Sequence, residues 1–249
     1  MVVSPDTTVR IAASERVPLS LDACPDAAHA TVTPRFGDPA KVALVKGALT
    51  LPSFVFPNFL TVEWGDTGLT SYVELVSRHY FRLDALKSYG DGMDDFASLD
   101  DSVLYEARQA ATEVFEEASC RSFVQRVGKT KDYGRGRLLD LAHNDVSEVY
   151  TDGYALVSDC QAERTTCRRP YPSWVEYRYG VRSVPSQVSR AVLELAAYML
   201  RPANRPIGAT GESTDAGYIH FTTAGRDGAT DIPEVNAAIE QFGRRRYAW

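Results

Sequence analysis

A chain of 249 residues, 44% hydrophobic and 24% charged, is long enough for two modest cores and has the composition of an ordinary globular protein. Its formal net charge of −6 excludes a protein that coats nucleic acid by charge alone. Cys24, Cys120, Cys160 and Cys167 are too few and too scattered for a disulfide framework, so reduced thiols are expected. The gap between Cys160 and Cys167 is wrong for a zinc pair, and no His lies within it. No amino-terminal segment joins a basic start to an apolar stretch, and no window approaches ~18 consecutive apolar residues, so neither signal-peptide export nor a membrane span is expected.

Residues 1 to about 80 carry short β-branched or alternating runs separated by turns: Thr8–Ile11, Ala30–Thr33, Val42–Val45, Ala48–Leu51, Phe59–Trp64 and Ser71–Val76. This spacing predicts a small antiparallel sandwich as a first domain, 1–80. Tyr80 to Leu86 reads as a hinge into a second domain, 81–249, and an acidic loop runs from Ser88 to Asp101.

Ser98 with Asp101 three residues on is a helix-start box, and Val103, Leu104, Ala107, Ala110, Ala111, Val114, Phe115 and Ala118 recur at helical spacing. An amphipathic helix over about 99–122 is predicted, with Glu106, Glu113, Glu116 and Glu117 on its other face. Between Asp91 and Glu117 the acids Asp91, Asp94, Asp95, Asp100, Asp101 and these glutamates face the single base Arg108. Such a face can be plainly solvated, can line a channel, or can meet a basic segment of a neighbouring subunit.

Residues 124 to 180 return to strand-like runs, Phe123–Val127, Arg137–Leu141, Val146–Tyr150, Ala155–Val157 and Trp174–Tyr179, with turns at Gly128, Gly134–Gly136 and Thr151–Gly153. A β insertion is therefore expected between the first two helices. Trp174, Tyr177 and Tyr179, with Val175 between, alternate with Glu176 and Arg178 as a half-buried strand stopped by Gly180. Gly134-Arg135-Gly136-Arg137 is expected as a hairpin turn in place of a phosphate loop. His143, Asp145 and Asp140 are expected as solvated strand ends.

Pro185 presets a second helix, about 186–201, in which Val188, Ala191, Val192, Leu195, Ala196, Met199 and Leu200 form a core stripe. Pro202 and Pro206 stop it, a loop with Gly208, Gly211 and Gly217 follows, and Tyr218–Thr222 reads as a strand. Pro233 and Glu234 open a last helix, about 233–243, with Val235, Ala238, Ile239 and Phe242 on one side and Gly243 at its end. The chain closes on Arg244, Arg245, Arg246, Tyr247, Ala248 and Trp249. Three guanidinium groups beside two large aromatics have the composition of interface anchors, so docking is expected; a non-specific DNA contact is the alternative.

This order, from Trp174–Gly180 through the Pro185 helix and the Pro233 helix to the arginine and aromatic tail, resembles the head-to-tail connector (adaptor) proteins of tailed bacteriophages, especially those of high-GC Gram-positive hosts. The Leu60–Trp64 strand, Gly65-Asp66-Thr67-Gly68 turn and Tyr72–Val76 strand are similar to the immunoglobulin-like amino-terminal domain of many actinophage connectors. The resemblance implies an α+β chain, an immunoglobulin-like β-sandwich followed by a small helical bundle with a β insertion that projects toward neighbours. It implies a structural virion protein of the neck, not an enzyme, with no cofactor and no membrane. Its partners would be copies of itself in a closed ring of about twelve, the portal protein, the next neck or tail-completion protein, and transiently the double-stranded DNA in the channel. The tail residues Arg244, Arg245, Arg246, Tyr247 and Trp249 would dock on the portal. A neck or tail accessory module, whose sandwich contacts another virion protein or the host surface, is the alternative reading. No nucleophile, acid/base pair or metal set stands out.

Overall fold

The structure, a computed structural model, describes residues 1–12, 15, 17–21, 23, 27–89, 96–166, 172–201, 211–214, 217–220 and 229–244, the two short runs 211–214 and 217–220 by backbone alone. The fold is α+β. It divides into two compact units, Met1–His79 with Arg121–Ser183, and Tyr80–Cys120 with Val184–Trp249. The chain passes from the first unit to the second between His79 and Tyr80. The β insertion, placed in the second domain by its position in sequence, groups with the amino-terminal sheets.

The first unit begins with β1 (Val2–Val3), β2 (Thr8–Ala12), β3 (Leu19–Leu21), β4 (His29–Pro34), β5 (Ala40–Ala43), β6 (Ala48–Leu49), β7 (Asn58–Trp64) and β8 (Thr70–Val76). They form a sheet of order β1-β3-β6 and a sheet of order β2-β8-β7-β4-β5. Val3, Leu19, Leu21 and Leu49 from the first meet Ile11, Ala30, Val32, Leu60, Val62, Trp64, Val73 and Leu75 from the second in one apolar core. Burial of alternate residues, as in Asn58, Leu60, Val62 and Trp64 of β7, is what makes the two sheets a sandwich. The sandwich is not wholly antiparallel, because β2 runs parallel to β8 and β1 parallel to β3. β1 and β3 are too short to give an alternation signal, and neither stood out in the sequence.

The second unit begins with α1 (Leu83–Lys87), which occupies the expected hinge, and continues with α2 (Asp101–Ser119). The chain then returns to the first unit for β9 (Arg126–Asp132), β10 (Leu138–Asp140), β11 (Glu148–Val149), β12 (Tyr154–Ser158), β13 (Gln161–Arg164) and β14 (Ser173–Tyr179). These make two three-stranded sheets, β11-β14-β9 and β10-β13-β12, around Leu141, Val146, Tyr154, Ala162, Val175, Tyr177 and Tyr179. Gly134 to Gly136 therefore turns the chain between strands of different sheets and does not close a hairpin.

Gly128, expected as a turn, lies inside β9. A Cβ there would sit 2.7 Å from the Tyr177 ring and 3.0 Å from His143 Nδ1, so the strand needs glycine for close approach. The strand also starts late: Phe123 and Val124 are buried before it, where Gly180, at φ +91°, approaches so closely that a Cβ would overlap the Val124 carbonyl. His143 and Asp145 are not solvated ends. The His143 ring stacks on Tyr179 at 3.9 Å and its Nδ1 lies 2.8 Å from the Tyr177 hydroxyl, while Asp145 accepts from Arg121 Nε at 2.7 Å.

The second unit resumes with α3 (Ser186–Leu200), a two-stranded ribbon of β15 (Gly211–Thr214) and β16 (Gly217–His220), and α4 (Pro233–Phe242). Gly211 and Gly217, expected in a loop, belong to that ribbon; Phe221 and Thr222 of the expected strand, and Pro202, Pro206 and Gly208, lie outside the described residues. Val188, Ala191, Val192, Leu195, Ala196 and Ala197 of α3 are buried and α3 packs on both α2 and α4, whereas Met199 is exposed. Pro185 is the residue capping α3, and Pro233 is the first residue of α4. Cys120 and Cys160 form no disulfide, and Cys24 and Cys167 lie outside the described residues.

Glu74 of β8 ties the first unit together. It is buried, and it accepts from Arg10 Nε of β2 and Arg126 Nη2 of β9, both at 3.0 Å. Burial alone would raise its carboxyl pKa; Arg126 and Arg10 outweigh burial and hold it below the ordinary 4.5. A depressed carboxylate stabilises the fold above its ordinary range and loses that contribution as pH falls through the folded value. Glu74→Gln is expected to cost about 3 kcal/mol at neutral pH, because it removes the carboxylate shared by two guanidinium groups. Its melting temperature should also fall less than that of the unaltered chain on acidification, as read by circular dichroism.

Candidate functional site

Two surfaces are candidate sites, and only the first carries residues expected to act. The first is α2. Its start is set by Asp100, not Ser98: the Asp100 carboxylate accepts from the Ser102 amide at 2.8 Å and the Ser102 hydroxyl at 2.7 Å. Ser98 belongs to a short 3-10 turn, Phe96–Ser98.

The inward face of α2 is rotated from the purely apolar one expected. Leu104, Ala107, Ala111 and Phe115 are buried together with Arg108, Thr112, Glu116 and Ser119, while Val103 and Val114 stand out at 42% and 36% exposure. The polar members are accommodated by hydrogen bonds. Glu116 Oε1 accepts from the Tyr80 hydroxyl at 2.8 Å, Thr112 Oγ1 donates to the Arg108 carbonyl at 2.7 Å, and Arg108 lies 4.7 Å from the Tyr105 ring. Tyr80 in turn accepts at its carbonyl from Ser189 Oγ of α3 at 2.7 Å.

Of the four glutamates expected on one acidic face, Glu106, Glu113 and Glu117 are exposed, and Glu116 is turned into the helical unit. The exposed face is a mixed one in which Val103, Ala110 and Val114 alternate with Glu106, Glu113 and Glu117. Asp91, Asp94 and Asp95 lie outside the described residues.

At the carboxyl end, Arg245, Arg246, Tyr247 and Trp249 also lie outside the described residues. Arg244 is described and exposed, and its amide donates to the Ser119 carbonyl at 2.8 Å, so the chain leaves α4 against the last turn of α2. Gly243 permits this by its small size, not by an unusual backbone angle. A Cβ on it would lie 2.5 Å from the Ile239 carbonyl oxygen and 3.2 Å from Ser119.

The second surface did not stand out in the sequence. In β14 it is Val175, Tyr177 and Tyr179 that face inward, so Trp174 shares the outward side with Glu176 and Arg178 and is 52% exposed. Trp174 is directly opposite Lys131 in the β9 register. Lys129 and Lys131 Nζ lie 5.1 and 5.9 Å from its ring, and Lys131 and Arg135 flank the exposed Tyr133 ring at 5.3 and 5.9 Å. The signal that could have found this surface is parity: Lys129 and Lys131 share one side of β9, whose other side holds Gly128, Thr130 and the buried Asp132, and Tyr133 follows at the strand's end.

Glu176, next along β14, is held by Arg35, whose Nε donates to Glu176 Oε2 at 2.8 Å. Asn58 positions that arginine by accepting from the Arg35 and Phe36 amides at 3.0 and 3.2 Å. Asp132 carries burial that would raise its pKa, but the Tyr154 hydroxyl at 2.6 Å and Arg164 at 2.7 Å hold it below the ordinary carboxylate value. Among the described residues no group of three His, Cys, Asp or Glu is placed to hold a metal ion, and no described helix is long and apolar enough to cross a membrane.

No protein-family model matches the chain, and no curated protein matches it. Solved chains similar to it include one from the neck of an empty gene transfer agent particle with sixfold symmetry. It is 17% identical, with 68% of this chain and 92% of that one covered, at a TM-score of 0.44. Another comes from the virion of a native gene transfer agent particle, at 18% identity, 67% and 89% coverage, and a TM-score of 0.42.

Gly243→Ala should destabilise the helical unit by about 1–3 kcal/mol, since the added methyl overlaps the Ile239 carbonyl and presses tightly on the Ser119 backbone. Gly136→Ala, where the nearest atom is 3.6 Å away, should leave the melting temperature nearly unchanged and serves as the reference.

Proposed function

We propose that the chain is a structural head-to-tail adaptor of a phage virion: it forms a ring below the portal, extends the DNA channel and docks the neck or tail. The observation that carries this reading is the order of parts from α2 onward. A long helix, a β insertion, a helix opened after Pro185 and a helix opened by Pro233 lead directly into a segment of three arginines and two aromatics. This is the plan the connector resemblance implies, and its work is mechanical. Self-assembly, a channel and a docking surface require shaped faces and no reacting group. A ring of about twelve copies, matching the portal, is part of the same proposal.

The accessory-module reading has one observation in its favour. Val55 and Phe56, adjacent in the loop before β7, are 72% and 49% exposed, an apolar tip on the sandwich suited to another protein surface.

The portal contact is assigned to Arg245, Arg246, Tyr247 and Trp249, with Arg244 as the last anchored residue. Tyr247 and Trp249 can bury large area with few lost rotamers, and planar arginines pair with carboxylates. Truncation after Arg244 should leave the circular dichroism spectrum and melting temperature unchanged while abolishing co-sedimentation with portal-bearing heads, each lost aromatic costing about 2 kcal/mol or more. Full binding by the truncated subunit would sink the assignment, and loss of folding would place the tail in the core.

A further inference from the structure

Resting on the ring-subunit reading, we propose that the outward face of the β9–β14 ribbon docks on the exposed face of α2 in a second copy of this chain. Each subunit would then give its ribbon to one neighbour and receive a ribbon on its helix from the other.

The ribbon is a basic island on a chain of net charge −6. Lys129, Lys131 and Arg135 surround Trp174 and Tyr133, and none of the three cations has an ion pair among the described residues. The cations lie 5.1–5.9 Å from the ring centroids, so the two exposed rings sit among positive charges held close to them. What the surface offers a partner is ammonium and guanidinium groups with an apolar ring edge between them, which suits carboxylates set beside small apolar side chains.

α2 presents that pattern. Glu106, Glu113 and Glu117 are exposed, none is ion-paired among the described residues, and Val103, Ala110 and Val114 lie beside them. The spacings agree. Residues two apart on a strand, as Lys129 and Lys131 are, stand roughly 6.8 Å apart, and residues four apart on a helix, as Glu113 and Glu117 are, stand roughly 6 Å apart. Two lysine–glutamate pairs can therefore form together while Trp174 rests on Ala110 and Val114. The contact is heterologous, with different patches on the two subunits, which is the kind that closes into a ring. Exposed ion pairs are individually weak, so the contact should be salt-sensitive and should strengthen when subunits are held side by side on a symmetric platform.

The test uses the full-length chain in two charge-reversed forms, K129E/K131E and E113K/E117K. In the first both surfaces are acidic, and in the second both are basic. Sedimentation velocity at high protein concentration and low salt should show that each form alone associates at least about tenfold more weakly than the unaltered chain, whereas an equimolar mixture regains association. Zero-length carbodiimide coupling of labelled with unlabelled unaltered chain should join Lys129 or Lys131 of one copy to Glu106, Glu113 or Glu117 of another. The proposal is overturned by either form associating normally alone, by a mixture that stays dissociated, or by the absence of those couplings. It is also overturned, in favour of a DNA contact, if K129E/K131E loses retention on duplex DNA while associating normally. Locating the chain within particles decides the ring reading separately: absence from the neck with mixture-only association would remove that reading and keep the interface.

Discussion

The carboxylate of Glu74 is the constraint on which the β-rich unit depends. It stands where the parallel β2–β8 pair of the sandwich meets β9 of the insertion, and it takes hydrogen bonds from an arginine of each. A buried carboxylate is costly unless it is paired, so the arrangement holds only when the insertion is in place beside the sandwich. Arg35 with Glu176, and the Phe36 and Tyr150 rings at 4.5 Å, reinforce the same association. A segment that begins 45 residues after β8 ends, at Arg121, is thereby made part of the amino-terminal unit.

The helical unit solves a different problem. α2 buries Arg108, Thr112, Glu116 and Ser119 on its inward side, and these polar groups find partners within the unit: Glu116 the Tyr80 hydroxyl, Thr112 and Ser119 backbone carbonyls one turn back, and Arg108 the Tyr105 ring. With those residues inside, Val103, Ala110 and Val114 stand on the outer face. A helix face of alternating carboxylates and small apolar groups is better suited to a protein partner than to water alone.

Much of this was legible in the sequence. Long strands with clean alternation, such as β7 and β8, and helices opened by proline, such as α4, follow from residue pattern because one element's own residues decide them. What the sequence concealed depended on distant partners. Gly128 reads as a turn until the Tyr177 ring and His143 are placed over it, and Glu116 reads as solvated until Tyr80 reaches it. The grouping of the insertion with the sandwich rests on the Arg10–Glu74–Arg126 contact, which spans residues far apart in the chain and leaves no local signature. The Lys129, Lys131 and Trp174 face is hidden in the sequence because the bulk of Trp174 sets it with Tyr177 and Tyr179, although strand parity sets it with Glu176 and Arg178.

The central claim, that this chain is a structural ring subunit at the junction of head and tail, is tested most directly by cryo-electron microscopy of intact particles, with the junction reconstructed without imposed symmetry. The account predicts a closed ring of this chain directly below the portal, with DNA passing through its centre. Density for the chain elsewhere in the particle, or its absence from the particle, would contradict it.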